Sequence, residues 1–416
     1  MPVRIDAQSF IKDVSVKLDE KSIIRTIDSD NWLISISDAN VASFVWANEF
    51  SSMVDLLTLP YIENGYYVIS DFEILNDTAY FCGYKKEGSD TEVGIWGYIN
   101  LAGFSSSDVR YCEFPPSRRF DKLDLYEDEG RPHIAMIGVS DNTEEFPIIV
   151  EVTETGPDSW LFRLLDYSLF QKLSWFFFDD VTVTDDYVIA SSRNTFDNHA
   201  SVHLFPKPSS YSSFLAGNNI VVSLGIYPIG PVLLEYLSSN FFSFLAELDS
   251  GDFSVGFYDS TDWVSEYVLA SNPYQCRDIK AKSGGLSGAD VLLTKYGEDG
   301  NYWSEIITFI PIFAAEDKPF SVDVHKYDKH NIHSMDFISE QDNLIASGIS
   351  ETWGALTLYR CSRHEWTCEE KILTFVSKVV HGEKLQYYEM MPMITEMTAE
   401  PMTCSIEESI INTVCE

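Results

Sequence analysis

Between positions 71 and 83 the chain reads Asp71-Phe72-Glu73-Ile74-Leu75-Asn76-Asp77-Thr78-Ala79-Tyr80-Phe81-Cys82-Gly83. Polar and apolar residues alternate before Asp77, which is typical of a β-strand with two unlike faces. The apolar run after Asp77 is typical of a strand buried on both faces. Asp and Asn favour tight turns because their side chains hydrogen-bond nearby backbone groups. The stretch therefore predicts a β-hairpin with its turn near Asp77.

The same pattern recurs twice without gaps, as DVTVTDDYVIASS at 180–192 and as DFISEQDNLIASG at 336–348. In each copy an acid opens the unit, a second Asp follows six positions later, and Gly or Ser stands twelve positions later. A small residue there allows close approach of the backbone. Weaker copies, one without an opening acid, begin at four further positions: Ile24, Asp124, Glu235 and Asp278.

Seven units result, with openings at 24, 71, 124, 180, 235, 278 and 336, which differ by 47, 53, 56, 55, 43 and 58 residues. This spacing is typical of four-stranded propeller blades. A third strand such as Val93–Ile99 and a more polar fourth such as Asp108–Phe114 follow the hairpin. The sequence predicts an all-β protein, a seven-bladed β-propeller of four-stranded antiparallel blades, forming a single domain over residues 1–416.

Two segments could close the ring by supplying a strand to the last blade: Ser15–Leu18 and the tail beyond Leu385. Helical periodicity is found only at Tyr167–Leu173 and at Ile406–Val414. The tail over 385–416 is therefore expected to close the ring or to end in a short helix.

The second unit reads TAYFCGYKKEGSDTEVGIWGYINL at 78–101, followed by VRYCEF at 109–114. Over Asp71–Phe114 the chain resembles secreted or surface propeller proteins of gut bacteria, which carry repeated D-x-V-Y-F-C-G segments. The resemblance implies the propeller fold and an extracytoplasmic location. It carries no catalytic residue over to this chain.

The charge balance narrows the choice of partner. With 28 basic and 65 acidic residues the formal net charge is −37, and phosphate backbones are bound by Lys and Arg. Nucleic acid is therefore excluded as a partner, and anionic membranes are disfavoured, whereas a protein or a carbohydrate is compatible. No run approaches the roughly eighteen apolar residues of a membrane helix. The first six residues lack the apolar core of a signal peptide, which leaves secretion open.

Six of the seven units open with a carboxylate. If the first strand of each blade is innermost, as in related propellers, these acids should ring one mouth of the channel. They would attract cations and raise one another's pKa by repulsion. The alternative is that each acid accepts backbone N–H bonds from the loop leading into its blade. The candidate ligand-binding acids are Asp71, Asp124, Asp180, Glu235, Asp278 and Asp336.

Loops between the second and third strands are expected at the same mouth. Trp303 and Trp353 close two of these loops, where an indole beside carboxylates can hold a sugar ring, or can simply pack between blades. No D-x-D-x-D-G loop occurs, and only the fragments Asp249–Asp252 and Glu298–Asn301 weakly suggest calcium. No cofactor is therefore predicted, with Ca²⁺ the one weak exception.

Catalytic signatures are missing: no G-x-S-x-G, H-E-x-x-H or P-loop occurs, and the Gly-rich stretch at 283–288 lacks the following Lys. The seven cysteines form no CxxC, although Cys361 and Cys368 flank a turn that a disulfide could bridge. The histidines at 325, 330 and 333 suggest either a metal site or a solvated loop.

These observations favour a non-enzymatic binding propeller that presents an acidic face to a protein or a carbohydrate. The alternative is a carbohydrate-active enzyme, a hydrolase or a lyase, that uses two of the ring carboxylates as acid and base. A purely structural scaffold is a third possibility, which leaves the acidity unexplained.

Overall fold

The computed structural model describes residues 10–415 except 18–20, 39–40, 50, 52, 89–90, 105–108, 141–145, 167–175, 195, 208–218, 249–251, 260–262, 270–274, 282–288, 297–301, 310–319, 323, 329, 339–342, 351–354, 363–370, 374, 381–383 and 389–392. Within these ranges every regular element is a β-strand. In particular, the described part contains no helix with the length and apolarity that a bilayer crossing requires.

The strands of the blades follow chain order after the first strand, β1 (Phe10–Lys17). Blades 1 to 3 contain β2 (Lys21–Thr26), β3 (Asn31–Asp38), β4 (Val41–Asn48) and β5 (Met53–Thr58); β6 (Gly65–Leu75), β7 (Thr78–Glu87), β8 (Thr91–Asn100) and β9 (Val109–Phe114); and β10 (Ser117–Asp128), β11 (Arg131–Ser140), β12 (Pro147–Gly156) and β13 (Ser159–Asp166). Blades 4 and 5 contain β14 (Phe176–Val183), β15 (Tyr187–Asn194), β16 (Ala200–Pro206) and β17 (Asn219–Ser223); and β18 (Leu233–Ser238), β19 (Phe241–Glu247), β20 (Phe253–Asp259) and β21 (Trp263–Leu269).

Blade 6 contains β22 (Gln275–Ala281), β23 (Ala289–Tyr296), β24 (Tyr302–Phe309) and, after the short β25 (Phe320–Val322), β26 (Val324–Asp328). Blade 7 contains β27 (His330–Ile338), β28 (Asn343–Ser350) and β29 (Ala355–Ser362). The tail adds β30 (Lys371–Leu373), β31 (Phe375–Val380), β32 (Lys384–Tyr388), β33 (Met393–Thr398), β34 (Glu400–Pro401) and β35 (Ser405–Cys415).

The protein is a seven-bladed β-propeller with mostly four-stranded blades, as the repeat predicts. The three ungapped copies form the first hairpins of blades 2, 4 and 7, in which β6 pairs with β7, β14 with β15 and β27 with β28. The weaker copies open in the first strands of blades 1, 3, 5 and 6. The turn between β6 and β7 requires positive φ at Asn76 (49°) and Asp77 (56°), which these residue types tolerate better than most.

Both ends of the chain contribute strands to the closure of the ring. β1 pairs with β29 as the fourth strand of blade 7. The tail runs backwards around the rim, where β31, β32, β33 and β34 add outer strands to blades 5, 4, 3 and 2. β35 then pairs with β5 of blade 1 and with β1 of blade 7, joining the two blades in one nine-stranded sheet.

The helical periodicity of Ile406–Val414 was a wrong indication, because these residues lie in β35. A short apolar run fits both periods, and here the unpaired edges of β5 and β1 offer the backbone hydrogen bonds that decide in favour of a strand. The other helical stretch, Tyr167–Leu173, lies outside the described residues.

Apolar layers between adjacent blades form the core. Between blades 2 and 3, Trp96, Phe120 and Phe162 are buried in one cluster, and the rings of Phe114 and Phe162 stack at 4.9 Å. The small residue that ends each repeat has a related role: a Cβ on Gly83 would lie 1.9 Å from the Val68 carbonyl oxygen. Blade 2 thus needs glycine at position 83 because the first strand of the same blade approaches so closely.

Candidate functional site

The first strands of the blades surround a central cavity of about 620 Å³. All six opening acids line this cavity: Asp71, Asp124, Asp180, Glu235, Asp278 and Asp336. A β-bulge directly precedes three of these acids, Asp71, Asp180 and Asp278. Bulges re-aim the side chains beside them, which fits the repeated placement of carboxylates at the channel.

The cavity opens on a different face from the one that the sequence suggests. Its lining continues past the acids to residues near the ends of first strands, such as Tyr126, Glu127, Asp185 and Tyr236. These residues lie beside the turns that join first and second strands, and we call this side the turn face. The opposite side, which carries the loops between second and third strands, is the loop face; none of its described loop residues lines the cavity. Three of the acids, Asp71, Asp124 and Asp336, lie beyond the middle of their strands and so closer to the turn face.

Most of the acids connect neighbouring blades. Asp180 accepts hydrogen bonds from the backbone N–H of Val181 (2.9 Å) and from Leu234 N–H in the next blade (2.9 Å). Asp336 likewise accepts from Phe337 N–H (2.8 Å) and from Thr26 N–H of blade 1 (2.6 Å). Three further acids accept a backbone N–H bond from the next blade in the same way: Asp124 from Val183, Glu235 from Ala281 and Asp278 from Met335. The acids thus accept hydrogen bonds from backbone N–H groups, as the second of the two sequence hypotheses predicts. The donors differ from that hypothesis, because they lie in the acid's own strand and in the next blade rather than in the loop leading into the blade.

The remaining two blade junctions are made by ion pairs. Blade 1 has no opening acid, and Arg25 in its first strand lies 3.3 Å from Asp71 and 2.5 Å from Glu73 of blade 2. Lys122 of blade 3 lies 3.4 Å from the other oxygen of Asp71. Asp71 therefore holds blade 2 between two cations, one from each neighbouring blade.

A further cation crosses the channel. The Lys280 ammonium group of blade 6 lies 3.7 Å from Glu73 of blade 2 and 3.5 Å from Glu235 of blade 5. Carboxylates from distant blades are thereby bridged through one side chain. The repulsion expected within a ring of acids is relieved by the chain's own cations.

The acids of the cavity differ in proton affinity. Burial raises the pKa of Asp124 to about 7, with a further contribution from the charge of Glu73. Burial also raises the pKa of Asp180 to about 6 against the attraction of Lys122, and that of Glu235 to about 8 against Lys280. Burial acts on Asp71 as well, but the charges of Lys122 and Arg25 outweigh it and lower its pKa. Burial, more than mutual repulsion, therefore causes the raised values.

The two tryptophans do not join the acids. Trp303 lies at the start of β24, is half-buried, and is not part of the cavity lining. Trp353 lies outside the described residues.

No metal site is found among the residues that the structure describes, where no group of three or more His, Cys, Asp or Glu side chains is arranged around a common point. His333 is buried, and its Nδ1 lies 3.2 Å from the backbone nitrogen of Ser22; burial lowers its pKa to about 3. Several sequence candidates have side chains or whole segments outside the described part: His325, His330, Cys361, Cys368, Glu298–Asn301 and most of Asp249–Asp252.

Three residues at the rim of the cavity were not predicted from the sequence. Tyr126 and Tyr236 follow opening acids by two positions and one position, and Lys207 follows the third strand of blade 4. The Lys207 ammonium group lies 4.0 Å from the centre of the Tyr126 ring. Burial lowers the pKa of Lys207. The two tyrosines could have been predicted from their positions just after the opening acids, whereas no local sequence pattern marks Lys207.

Tyr126 is held from behind by a buried polar cluster. Its hydroxyl donates a hydrogen bond to Glu151, which also lies 2.5 Å from Arg163 and 3.4 Å from His133. The contacts of His133 and of the Tyr126 hydroxyl, together with the charge of Arg163, hold the pKa of Glu151 below its usual range despite burial. The ring of Tyr126 is therefore fixed at the cavity wall.

No protein-family model matches the chain, and no curated protein matches it. Among solved structures the chain is similar to the polysaccharide lyase Uly1, with 6% identity and a TM-score of 0.46 over 87% of this chain and 94% of the other. It is also similar to the NanB sialidase from Streptococcus pneumoniae, with 10% identity and a TM-score of 0.31 over 85% and 70% of the two chains. A third similarity is to the Bacteroides ovatus protein Xyloglucan PUL GH43B, with 8% identity and a TM-score of 0.26 over 97% and 100%. At identities this low, none of these proteins indicates a ligand for the present chain.

Proposed function

We propose that the protein is a non-enzymatic binding propeller whose central cavity holds a small saccharide at the turn face. The observation that carries the proposal is the mixed lining of the cavity, in which the carboxylates of blades 2 to 7 lie among Arg25, Lys122, Lys207 and Lys280. Sugar hydroxyls donate and accept hydrogen bonds, so they suit a wall that offers carboxylate acceptors and ammonium donors together. The volume of about 620 Å³ lies within the range of roughly 300–1,000 Å³ that is usual for ligand sites.

The wall is also organised before any ligand arrives. Asp124, Asp180 and Glu235 are each bonded to the backbone of the next blade, and Tyr126 is fixed through Glu151. A preformed site loses less side-chain freedom on binding, which favours affinity. Tyr236 adds a second aromatic side chain at the rim, and its ring can contact the apolar side of a sugar, whereas the Tyr126 ring already packs against His133 and Lys207.

A concave site supports a small ligand over a protein partner. Stable protein interfaces cover about 800 Å² on each partner and are usually broad, whereas the functional groups in question lie inside the channel. The formal charge of −37 further disfavours polyanions. A neutral saccharide is small enough to enter the channel and is not repelled by the negative charge.

The proposal is tested by changing one rim residue. Lys207→Ala should weaken binding of a neutral oligosaccharide about 10-fold, the effect of one hydrogen bond to a charged group. Lys86→Ala is the matched control, because Lys86 also lies over a tyrosine ring, at 6.0 Å from the centre of Tyr66, but does not line the cavity. Isothermal titration calorimetry against a panel of oligosaccharides measures both. Binding that is unchanged in Lys207→Ala, or equally reduced in Lys86→Ala, argues against the cavity as the site.

A second candidate function is cleavage of a glycosidic bond in the same cavity. One observation favours it: burial raises the pKa of Glu235 to about 8, while Lys122 and Arg25 lower that of Asp71. One carboxyl that stays protonated near neutral pH and another in the same cavity that stays ionised provide the division of roles that acid–base catalysis needs. Release of reducing ends from oligosaccharides, abolished by Glu235→Gln, would support an enzyme, and binding without products would support the first candidate.

We further propose an extracytoplasmic location, which the resemblance of Asp71–Phe114 to secreted propeller proteins supports. Fractionation of the producing cell tests this proposal, since recovery of the protein from the cytoplasm alone would contradict it.

A further inference from the structure

Four large apolar side chains are exposed on the loop face, in blade 4 and in the segment that joins it to blade 5. They are Phe177 (48% exposed), Phe196 (68%), Tyr227 (56%) and Ile229 (46%), and we call them the aromatic patch. In the described part of the chain only three other large apolar residues are exposed: Val41, Met53 and Tyr61. A concentration of exposed apolar side chains in one place is typical of an interaction site.

Contacts between the strands show that the patch is one surface. Phe177 lies opposite Arg193 in the pairing of β14 with β15, and the Arg193 guanidinium donates a hydrogen bond to the Ile229 carbonyl at 3.5 Å. The ring of His199 contacts that of Tyr227 with centroids 5.5 Å apart. Phe196 belongs to the same loop as His199, so blade 4 and its connection to blade 5 form the patch together.

The loop that carries Phe196 is held by its own hydrogen bonds. Asn194 N–H donates to the His199 carbonyl at 3.0 Å, and Asn198 N–H donates to the Asn194 carbonyl at 2.8 Å. The Asn194 side chain accepts from Phe196 N–H at 2.9 Å. An exposed ring on a hydrogen-bonded loop is presented at low entropic cost to a binding partner.

Polar groups with defined positions lie beside the patch. The Ser223 hydroxyl is 2.7 Å from His199 Nε2, and Arg193 forms a bidentate pair with Asp179 at 2.6 and 2.8 Å. Asp197 and Asn198 are exposed beside Phe196. Exposed rings with hydroxyl, amide and carboxylate groups beside them suit the apolar faces and the hydroxyl groups of sugars.

From this arrangement we propose that the aromatic patch is a second saccharide-binding surface, which takes a neutral polysaccharide chain on the face opposite the mouth of the cavity. Its occupant is a polymer because the patch is open and extends from blade 4 onto the connection to blade 5. The formal charge of −37 disfavours anionic polymers and anionic membranes. The patch is separate from the cavity, so either site can bind without the other.

Affinity electrophoresis in native gels containing a neutral glucan, xylan or mannan tests the proposal. The wild-type protein should be retarded by at least one of these polymers, and the double variant Phe196→Ala with Tyr227→Ala should lose about 10-fold or more in affinity, since stacked rings contribute most at such sites. Tyr61→Ala is the matched control, because Tyr61 is 80% exposed at another place. Lys207→Ala should keep full retardation, which separates this surface from the cavity.

The outcomes that overturn the proposal are distinct. Failure of all three polymers to retard the wild type overturns it, as does equal retardation of the double variant. Sedimentation gives a further check: a wild-type dimer that becomes a monomer in the double variant would assign the patch to contacts between copies of the chain. Because both substituted side chains are exposed, an unchanged melting temperature is expected for the double variant, and this confirms that any loss comes from the surface.

Discussion

At the scale of single residues, Asp278 illustrates how a side chain that faces the channel can hold the ring together. Its carboxylate accepts hydrogen bonds from Ile279 N–H at 3.0 Å in its own strand and from Met335 N–H and the Ser334 hydroxyl, each at 2.9 Å, in blade 7. Two of the donors are backbone groups of first strands, which find no replacement acceptor once the carboxylate is removed. The repeated acid thus stabilises the contact between two blades, whether or not a ligand is bound.

We predict that Asp278→Ala lowers the free energy of unfolding by about 1–3 kcal/mol, because it leaves partly buried donors without acceptors. Asp186→Ala is the control, since Asp186 accepts one hydrogen bond at 2.8 Å from the Asn240 side chain at an exposed position. Urea unfolding of both variants measures the difference. Equal stabilities of the two variants would mean that the links between blades contribute little.

At the scale of elements, β35 has the least usual position. Ser405–Ile410 pair with β5 of blade 1, and Ile411–Cys415 pair with β1 of blade 7. β1 itself comes from the other end of the chain and completes blade 7 beside β29. One strand thus covers the outer edges of two blades, which would otherwise present unpaired backbone groups.

We predict that Ser409→Pro loosens the ring at this point, because proline removes a backbone donor from the middle of a strand. Hydrogen exchange followed by mass spectrometry should show faster uptake in β5 and β1, with blades 3 to 5 unchanged. Thr403→Pro is the matched control, since Thr403 is exposed and lies between β34 and β35. Unchanged exchange in Ser409→Pro would indicate that the ring holds without β35.

At the scale of the whole molecule, the cavity acids link stability to pH. Asp180, Asp124 and Glu235 have pKa values raised to about 6, 7 and 8. An acid with a raised pKa binds more protons in the folded than in the unfolded state between the two values. Its stabilising contribution is therefore complete below its unfolded pKa and is lost as the pH rises through its folded pKa.

We predict that the melting temperature falls from about pH 5 to pH 8.5, by the sign of this linkage. Below about pH 4 the opposite trend should begin, because Asp71 and Glu151 have lowered pKa values and lose their stabilising ion pairs on protonation. Differential scanning calorimetry across this range measures the curve, and Asp124→Asn should flatten its alkaline side.

A melting temperature that rises steadily from pH 5 to 8.5 would contradict the linkage. The same experiment with millimolar Ca²⁺ is informative, since Arg25, Lys122 and Lys280 already neutralise carboxylates of the cavity. We expect no shift of the melting temperature on adding Ca²⁺.

The fold and the gathering of the acids were both predictable from sequence. Each hairpin is encoded by a short pattern, as at Asp71–Gly83, and the pattern recurs at the spacing of a blade. Once the repeat is recognised, equivalent positions must meet around one axis, so the acids at 71, 124, 180, 235, 278 and 336 were expected to line one channel. Local sequence patterns were sufficient to predict the fold, because each hairpin is formed by residues close together in sequence and the ring is built by repeating that hairpin.

Only the tertiary structure decided how those acids are used. Asp180 bonds to Leu234 and Lys280 lies between Glu73 and Glu235, pairings between side chains and strands that no local pattern encodes. The face on which the cavity opens is given by its lining, which continues past the acids to Tyr126, Asp185 and Tyr236. The tail became strands rather than a helix because the free edges of β5 and β1 were available to it. Hydrogen bonds and charges act between neighbours in space, and for these residues the neighbours are set by the closed ring.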